Sequence, residues 1–174
     1  MTLLPLRLRS WYSLLQGIHS PRELCRLTKG FGYGGLAITD RDNLCGLWPF
    51  LQGCREEGLR PVVGAEVSEP GSARSVSCLV KNDTGYANLC TLLTRRHLAT
   101  AGFVLARELP DLAEGLFILC SDLLLLTALH RRGIAVVADL GPRPTAAGRQ
   151  LREWCRHRGV SAVTTADCTL GCAA

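Results

Sequence analysis

The chain has 174 residues, 47% of them hydrophobic and 20% charged, which suits one globular domain with a substantial core and excludes long disordered stretches. Its net charge of +5 is mild and rests on 20 lysines and arginines, of which only Lys29 and Lys81 are lysines. Arginine's planar fork suits pairing with carboxylate or phosphate, and a GC-rich genome would produce the same bias. The longest apolar run, around Leu123–Leu126, is far too short to span a bilayer, and Arg7 and Arg9 fall where a signal peptide would be apolar.

Short β-rich runs alternate with longer helical ones. Ser20-Pro21-Arg22-Glu23 reads as a helix start, with Ser20 as N-cap, Pro21 at the first position and Glu23 closing a capping box. That helix runs from Pro21 to Lys29 and ends at Gly30. The glycines at 32, 34 and 35 lead into a strand at Leu36–Thr39. A helix over Leu47–Glu57, with Pro49 in its first turn, stops at Gly58 before a strand at Pro61–Val67. Ser68–Ser75 is a turn-rich loop. Then follow a strand (Val76–Lys81), a helix (Gly85–His97), a strand (Leu116–Cys120), a leucine-rich helix (Asp122–Arg132), a strand (Ile134–Ala138), a helix (Thr145–Arg158) and a last strand (Val160–Thr165). Gly141-Pro-Arg-Pro144 is a local turn. Strands alternating with helices predict an α/β fold built of parallel βαβ units, with both sheet faces covered.

In such folds reactive groups collect at the carboxyl ends of strands. That rule nominates Asp40, Glu66, Asp122 and Asp167, although aspartate at a strand end is also a common helix cap. Of the nine cysteines none forms a C-x-x-C pair; Cys78, Cys90 and Cys120 lie in hydrophobic segments and read as reduced core residues, which predicts a cytoplasmic setting. Cys168 and Cys172 would need two further ligands to hold zinc, and the surrounding sequence offers none. His19 precedes a helix cap, and His97, with Arg95 and Arg96, reads as a favourable cation at a helix end. Arg149, Arg152, Arg156 and Arg158 share one helix, either as a solvated face or as a nucleic-acid or partner contact. Trp48, Trp154 and Tyr86 are expected in the core or at an interface.

Several segments, in order, resemble one family. Leu6-Arg-Leu-Arg-Ser-Trp-Tyr-Ser-Leu-Leu-Gln-Gly17 is similar to an opening L-H-V-H-S-x-Y-S-L-L-D-G, and Ala37-Ile-Thr-Asp-Arg-Asp-Asn-Leu-Cys-Gly46 to A-I-T-D-H-x-N-L-x-G. Gly58-Leu-Arg-Pro-Val-Val-Gly-Ala-Glu-Val67 is similar to G-I-K-P-I-I-G-x-E-V, and Lys81-Asn-Asp-Thr-Gly-Tyr-Ala-Asn-Leu89 to K-N-x-x-G-Y-x-N-L. Glu114–Leu123 resembles E-G-L-I-A-L-S-G-C-L, and Arg158–Thr169 resembles R-G-L-P-V-V-A-T-N-D-V-H. The set resembles the PHP (polymerase and histidinol phosphatase) domain of bacterial DNA polymerase III alpha subunits. The resemblance implies a distorted (β/α)7 barrel over residues 1–169, here shortened after Cys120, with 170–174 as a C-terminal tail.

The departures bear on chemistry. Active members of the family bind up to three divalent ions, Mn, Zn or Mg, through histidines and carboxylates. Here the opening H-x-H falls on Arg7 and Arg9, the histidine of T-D-H on Arg41, the cysteine of S-G-C on Asp122, and the final D-x-H on Asp167 and Thr169. Near Gly141–Pro144, where the family often places another histidine, there is none. A guanidinium cannot deprotonate and so cannot ligate a metal, but it can stand in for the metal's charge. No metal and no other cofactor is therefore expected, and Asp40, Glu66 and Asp167 are the acids that would take an ion if one were bound. The expectation is a network of Arg7, Arg9 and Arg41 with Asp40, Glu66, Asp167 and Asp122.

By resemblance the chain is a non-catalytic structural and interaction module of a polymerase alpha subunit in replication or error-prone repair synthesis. Its expected partners are the polymerase body or replisome subunits, with DNA contact as a further option and no membrane. Nothing in 174 residues has room for the parts that polymerise DNA. One alternative is a metal-dependent phosphoesterase or 3′–5′ exonuclease of the family, against which the missing histidines count. Another is a free-standing binding protein in a polymerase complex.

Overall fold

Local signals build the first elements as expected. Residues 4–99 and 102–165 are described by the structure, a computed structural model. Helix α1 (Pro21–Gly30) opens on a complete capping box: Ser20 Oγ accepts from Glu23 N at 3.2 Å and Glu23 Oε2 accepts from Ser20 N at 2.7 Å. Helix α2 (Leu47–Glu57) ends where Gly58 takes the left-handed conformation that a residue with a Cβ resists. Both helices pack on strand β1 (Gly35–Arg41), burying Leu24, Cys25, Phe50 and Cys54 against Leu36 and Ile38.

Strand β2 (Arg60–Ser68) pairs parallel with β1, but β3 (Ser75–Val80) runs antiparallel to β2 and to β4 (Leu116–Cys120). Strands β5 (Val136–Asp139) and β6 (Ala162–Val163) return to parallel pairing, and the sheet order follows the chain. The sheet is therefore mixed, where alternation alone predicts a parallel one. The reason is the Glu69–Arg74 connection, closed by Glu69 N donating to Arg74 O at 2.9 Å. A loop this short can reverse the chain but cannot carry it back for a parallel crossover, which takes a dozen or more residues.

Helices α3 (Asp83–Leu98), α4 (Leu105–Leu112), α5 (Leu123–Arg131) and α6 (Ala146–Arg158) cover the outer sheet face. Leu89, Leu92, Leu109, Leu126, Leu129 and Leu151 bury there against Ala65, Val67, Val76, Cys78, Ile118 and Ala138. The inner face has a separate apolar cluster to which every strand contributes: Ala37, Val62, Leu79, Leu119, Val137 and Val163, joined by Leu6. First and last strands can share one cluster only if the sheet curls back on itself. The extended Pro5–Leu8 segment lies along β1, with Ala37 N donating to Pro5 O and Thr39 N to Leu8 O, each at 2.8 Å. The result is a short α/β barrel.

Helix α4 is absent from the predicted elements. Val104 at its N-cap offers no side-chain hydrogen bond and Pro110 lies inside it, so the usual signals are missing. Leu105, Leu109 and Leu112 nonetheless form a buried stripe. The cap comes from the hairpin loop: Glu69 Oε2 accepts from Leu105 N at 3.0 Å.

Candidate functional site

Side chains alternate across a strand, and this parity decides which of them enter the barrel mouth. On β2, Val62 belongs to the inner cluster, so Gly64 and Glu66 also face inward. Glu66 is only 3% exposed. The N-terminal segment has the same parity: Leu8 is buried among the helices on the outer side, which turns Arg7 and Arg9 inward. Arg9 Nε donates to Glu66 Oε2 at 3.0 Å, and Arg9 Nη2 donates to the same oxygen. Arg7 Nη2 lies 3.9 Å from Oε2, and Arg41 Nη1 lies 3.9 Å from Oε1. Three guanidiniums thus surround one buried carboxylate. Arg41 is the loosest of them, with its side chain 40% exposed and a second contact to Asp42 at 3.9 Å.

Arg7 also reaches a second acid that the predicted set lacks. Its Nη1 donates to Asp139 Oδ2 at 2.9 Å, which joins the start of the chain to the end of β5. Asp139 follows inward-facing Val137 by two residues and is buried. It also accepts from Thr165 Oγ1 at 2.7 Å and from Gly141 N at 3.0 Å. A predicted strand end at Ala138 stops one residue short of it; the strand-end rule that nominated Glu66 finds Asp139 once the strand is extended.

Asp40 does not join this network. It shares parity with Leu36 and Ile38 and so points to the outer side, towards α1 and α2. There it accepts from Ser10 N, Ser10 Oγ and Ser13 Oγ, each at 2.7 Å, and among the described residues no arginine pairs with it. Its carboxylate latches the loop after Ser10, where Trp11, Leu14, Leu15 and Ile18 are exposed. Asp122 is likewise elsewhere: it caps α5, accepting from Leu125 N at 2.7 Å, and meets Arg74 at 3.4 Å. Asp167, Thr169, Cys168 and Cys172 lie outside the described residues.

A second polar cluster, which no pattern along the chain announces, adjoins the mouth. Asp42, at a positive φ of 56°, accepts from Ser68 N at 2.7 Å, Ser68 Oγ at 2.6 Å and Arg96 Nη2 at 3.4 Å. Arg96 Nε donates to Ser68 O at 2.6 Å, and His97 Nε2 donates to the Asp42 carbonyl at 2.5 Å. Arg96 and His97 therefore bind the β1 and β2 loops to the end of α3, rather than serving only as cations at a helix terminus. Of the aromatics expected in the core or at an interface, Trp48 is 70% exposed and Tyr86 lies at the surface, which excludes the core for both. Trp154 is half-buried against the outer core. Cys78 and Cys120 are buried free thiols, as expected of reduced core residues.

A family model described as "PHP domain" matches residues 5–140. The DNA polymerase III alpha subunit of Pseudomonas fluorescens is 30% identical over 158 residues, which are 86% of this chain and 13% of that protein. The corresponding Escherichia coli K12 subunit is 34% identical over 123 residues, 66% of this chain and 11% of that protein. An error-prone DNA polymerase of P. fluorescens Pf-5 is 38% identical over 107 residues, 60% and 10% of the two chains. The chain thus spans about an eighth of the curated relatives it matches. Among solved structures, a candidate metal-dependent phosphoesterase from Bifidobacterium adolescentis superposes with a TM-score of 0.66 at 11% identity, covering 97% of this chain and 88% of that one. An amidohydrolase from Chromobacterium violaceum, with sulfate bound and no metal, gives 0.64 at 14% identity, with 94% and 86% covered. At such identities the likeness is one of fold.

Proposed function

Since the chain belongs to the PHP domain family and is related to DNA polymerase III alpha subunits, we propose that it is a non-catalytic member whose arginines hold the place of metal ions. The observation that carries this reading is the seating of Arg9 on Glu66 and of Arg7 on Asp139. Divalent ions of the kind the family uses need lone pairs, from neutral imidazoles or from free carboxylate oxygens. Guanidinium has no lone pair to give. It also occupies one oxygen of each carboxylate, Glu66 Oε2 and Asp139 Oδ2, and brings positive charge where an ion would sit, so the described donor set does not fit a metal. Among the described residues no three histidine, cysteine, aspartate or glutamate side chains are grouped to hold one. Without the arginines, Glu66 and Asp139 would be buried carboxylates stripped of these counter-ions.

On this reading the domain supports other parts of a replicative or error-prone polymerase, as a structural and interaction module for the polymerase body or replisome subunits. The test uses the purified chain with Mn²⁺ or Zn²⁺ and either p-nitrophenyl phosphate or single-stranded DNA. Phosphate or nucleotide release should stay at background. The melting temperature should not rise with metal, whereas an ion at 100 times its Kd would add about 2.7 kcal/mol of stability. Metal-dependent turnover that is abolished by Glu66→Gln would overturn the proposal in favour of a phosphoesterase.

A further inference from the structure

Several surface arginines meet a carboxylate: Arg22 meets Glu56, Arg26 meets Glu57 and Arg95 meets Glu108. A group on and before α6 does not. Arg143, Arg149 and Arg152 line one cleft of about 190 Å³, together with Gly148 and Thr164, and among the described residues no acidic side chain lines it. Among the described residues none of the three has an ion pair or hydrogen bond through its guanidinium. Asp139 borders the neighbouring cleft, but its oxygens are taken by Arg7, Thr165 and Gly141. The nearest acid on the helix, Glu153, is exposed and also unpaired.

Spacing makes this group a track rather than a point. Arg149, Arg152 and Arg156 recur at intervals of three and four, which puts three cations on one face of α6 with the single acid Glu153 at its edge. The face opposite them carries buried Leu151 and Cys155. At 1.5 Å rise per residue, the row from Arg149 to Arg156 extends about 10 Å, with Arg143 ahead of it in the loop. A single phosphate would use guanidiniums that converge on it. A row of this length instead matches successive phosphates of a strand, which repeat every 3.4 Å or so along each chain of a stacked helix. Guanidinium is the side chain best shaped to bond phosphate oxygens in pairs. The dipole at the start of α6, whose first turn carries no acidic residue, adds charge of the same sign.

We infer that the Arg143–Arg149–Arg152 cleft and the adjoining α6 face bind the sugar-phosphate backbone of single-stranded DNA. A recessed cleft flanked by Pro142 and Pro144 admits a flexible strand, whereas a stiff duplex would touch only its rim. The site reads phosphates and not bases, since its described lining holds cations, aliphatic and small residues but no aromatic ring on which a base could stack. It adjoins the carboxyl ends of β5 and β6, beside the barrel mouth, and its cations are none of the three arginines around Glu66.

The test is fluorescence anisotropy of a labelled oligo-dT with the full chain over a salt series. Binding should weaken as salt rises, with a log–log slope of about −2 to −3, from about 0.7 per neutralised phosphate over three or four contacts. The Arg149→Gln/Arg152→Gln variant should bind at least tenfold more weakly, with a slope shallower by about 1.4. Arg107→Gln, an exposed arginine on α4, should bind like the wild type, and circular dichroism melts should show all variants folded. No measurable binding by the wild type, or unchanged affinity in the double variant, would overturn the site. Equal affinity for duplex DNA would overturn the single-strand assignment, as would displacement of the oligonucleotide by millimolar inorganic phosphate.

Discussion

At the scale of single residues, Arg9 and Glu66 are the pair on which the barrel mouth depends. Glu66 is buried and Arg9 presents two N–H groups to one of its oxygens, while Arg7 and Arg41 stand off at 3.9 Å. Removing one member of a buried pair strands the other and costs about 3–5 kcal/mol; with the Arg9 side chain 20% exposed, Arg9→Ala should cost about 3 kcal/mol. Arg41→Ala should cost about 1 kcal/mol or less, as exposed ion pairs do. The Arg9→Ala/Glu66→Gln double variant should lose less than the sum of its parts, by about 1–3 kcal/mol. Urea melts of the four proteins measure this, and additive losses would show that the two side chains do not depend on each other. The arginines themselves were legible in the sequence, because they fall where histidines stand in the family pattern. Of their partners among the described residues, Glu66 was legible and Asp139 was not. Asp40 looked equivalent to it, but one step of strand parity sends Asp40 to the serines on the outer side instead.

At the scale of elements, the start of α3 shows how a short motif acts through contact with a distant loop. In the segment Lys81–Leu89, Asn82 caps the helix by accepting from Gly85 N at 3.0 Å. A Cβ on Gly85 would stand 1.8 Å from the carbonyl oxygen of Gly115, in the turn before β4. Backbone is on both sides of that contact, so neither can yield without moving α3 or the turn. Gly85→Ala should therefore lower stability by about 3 kcal/mol or more, an overpacking effect. Asn82→Ala, which removes only the cap, should cost about 1 kcal/mol. Thermal melts of both variants distinguish the two roles; a Gly85→Ala protein as stable as the wild type would show that the turn gives way freely. Helix α4 illustrates the converse. Its cap is the carboxylate of Glu69, 36 positions away along the chain, so no local pattern announces it.

At the scale of the whole molecule, the outer core makes stability sensitive to alkali. Burial between the sheet and its helices pushes the thiols of Cys78 and Cys120 up to about 12, from an ordinary value of 9.0. In the folded protein both thus stay neutral over a range where the unfolded chain ionises. The stability they provide is complete below pH 9 and is lost as pH rises towards 12. Melting temperature should fall across that window, and Cys78→Ala should make the fall shallower while lowering stability at neutral pH. Equal slopes for the two proteins would exclude Cys78 as a source of the effect. Under native conditions a thiol reagent should label exposed Cys45 before either buried cysteine.

Whatever depends on near neighbours or on residue chemistry is legible along the chain. The capping box of α1, the glycine stop of α2, the alternation of strand and helix, and the inability of Arg7, Arg9 and Arg41 to ligate a metal all follow from residues within a few positions or from one side chain. Only the tertiary structure decided the reversal of β3, the closure of the sheet around Ala37, Leu79 and Leu119, the entry of Asp139 into the site and the departure of Asp40 and Asp122 from it. Those outcomes depend on where a strand ends, which face its parity turns inward and which distant segment packs against it, and such phases are set by the packing of the whole barrel rather than by any stretch of the chain alone.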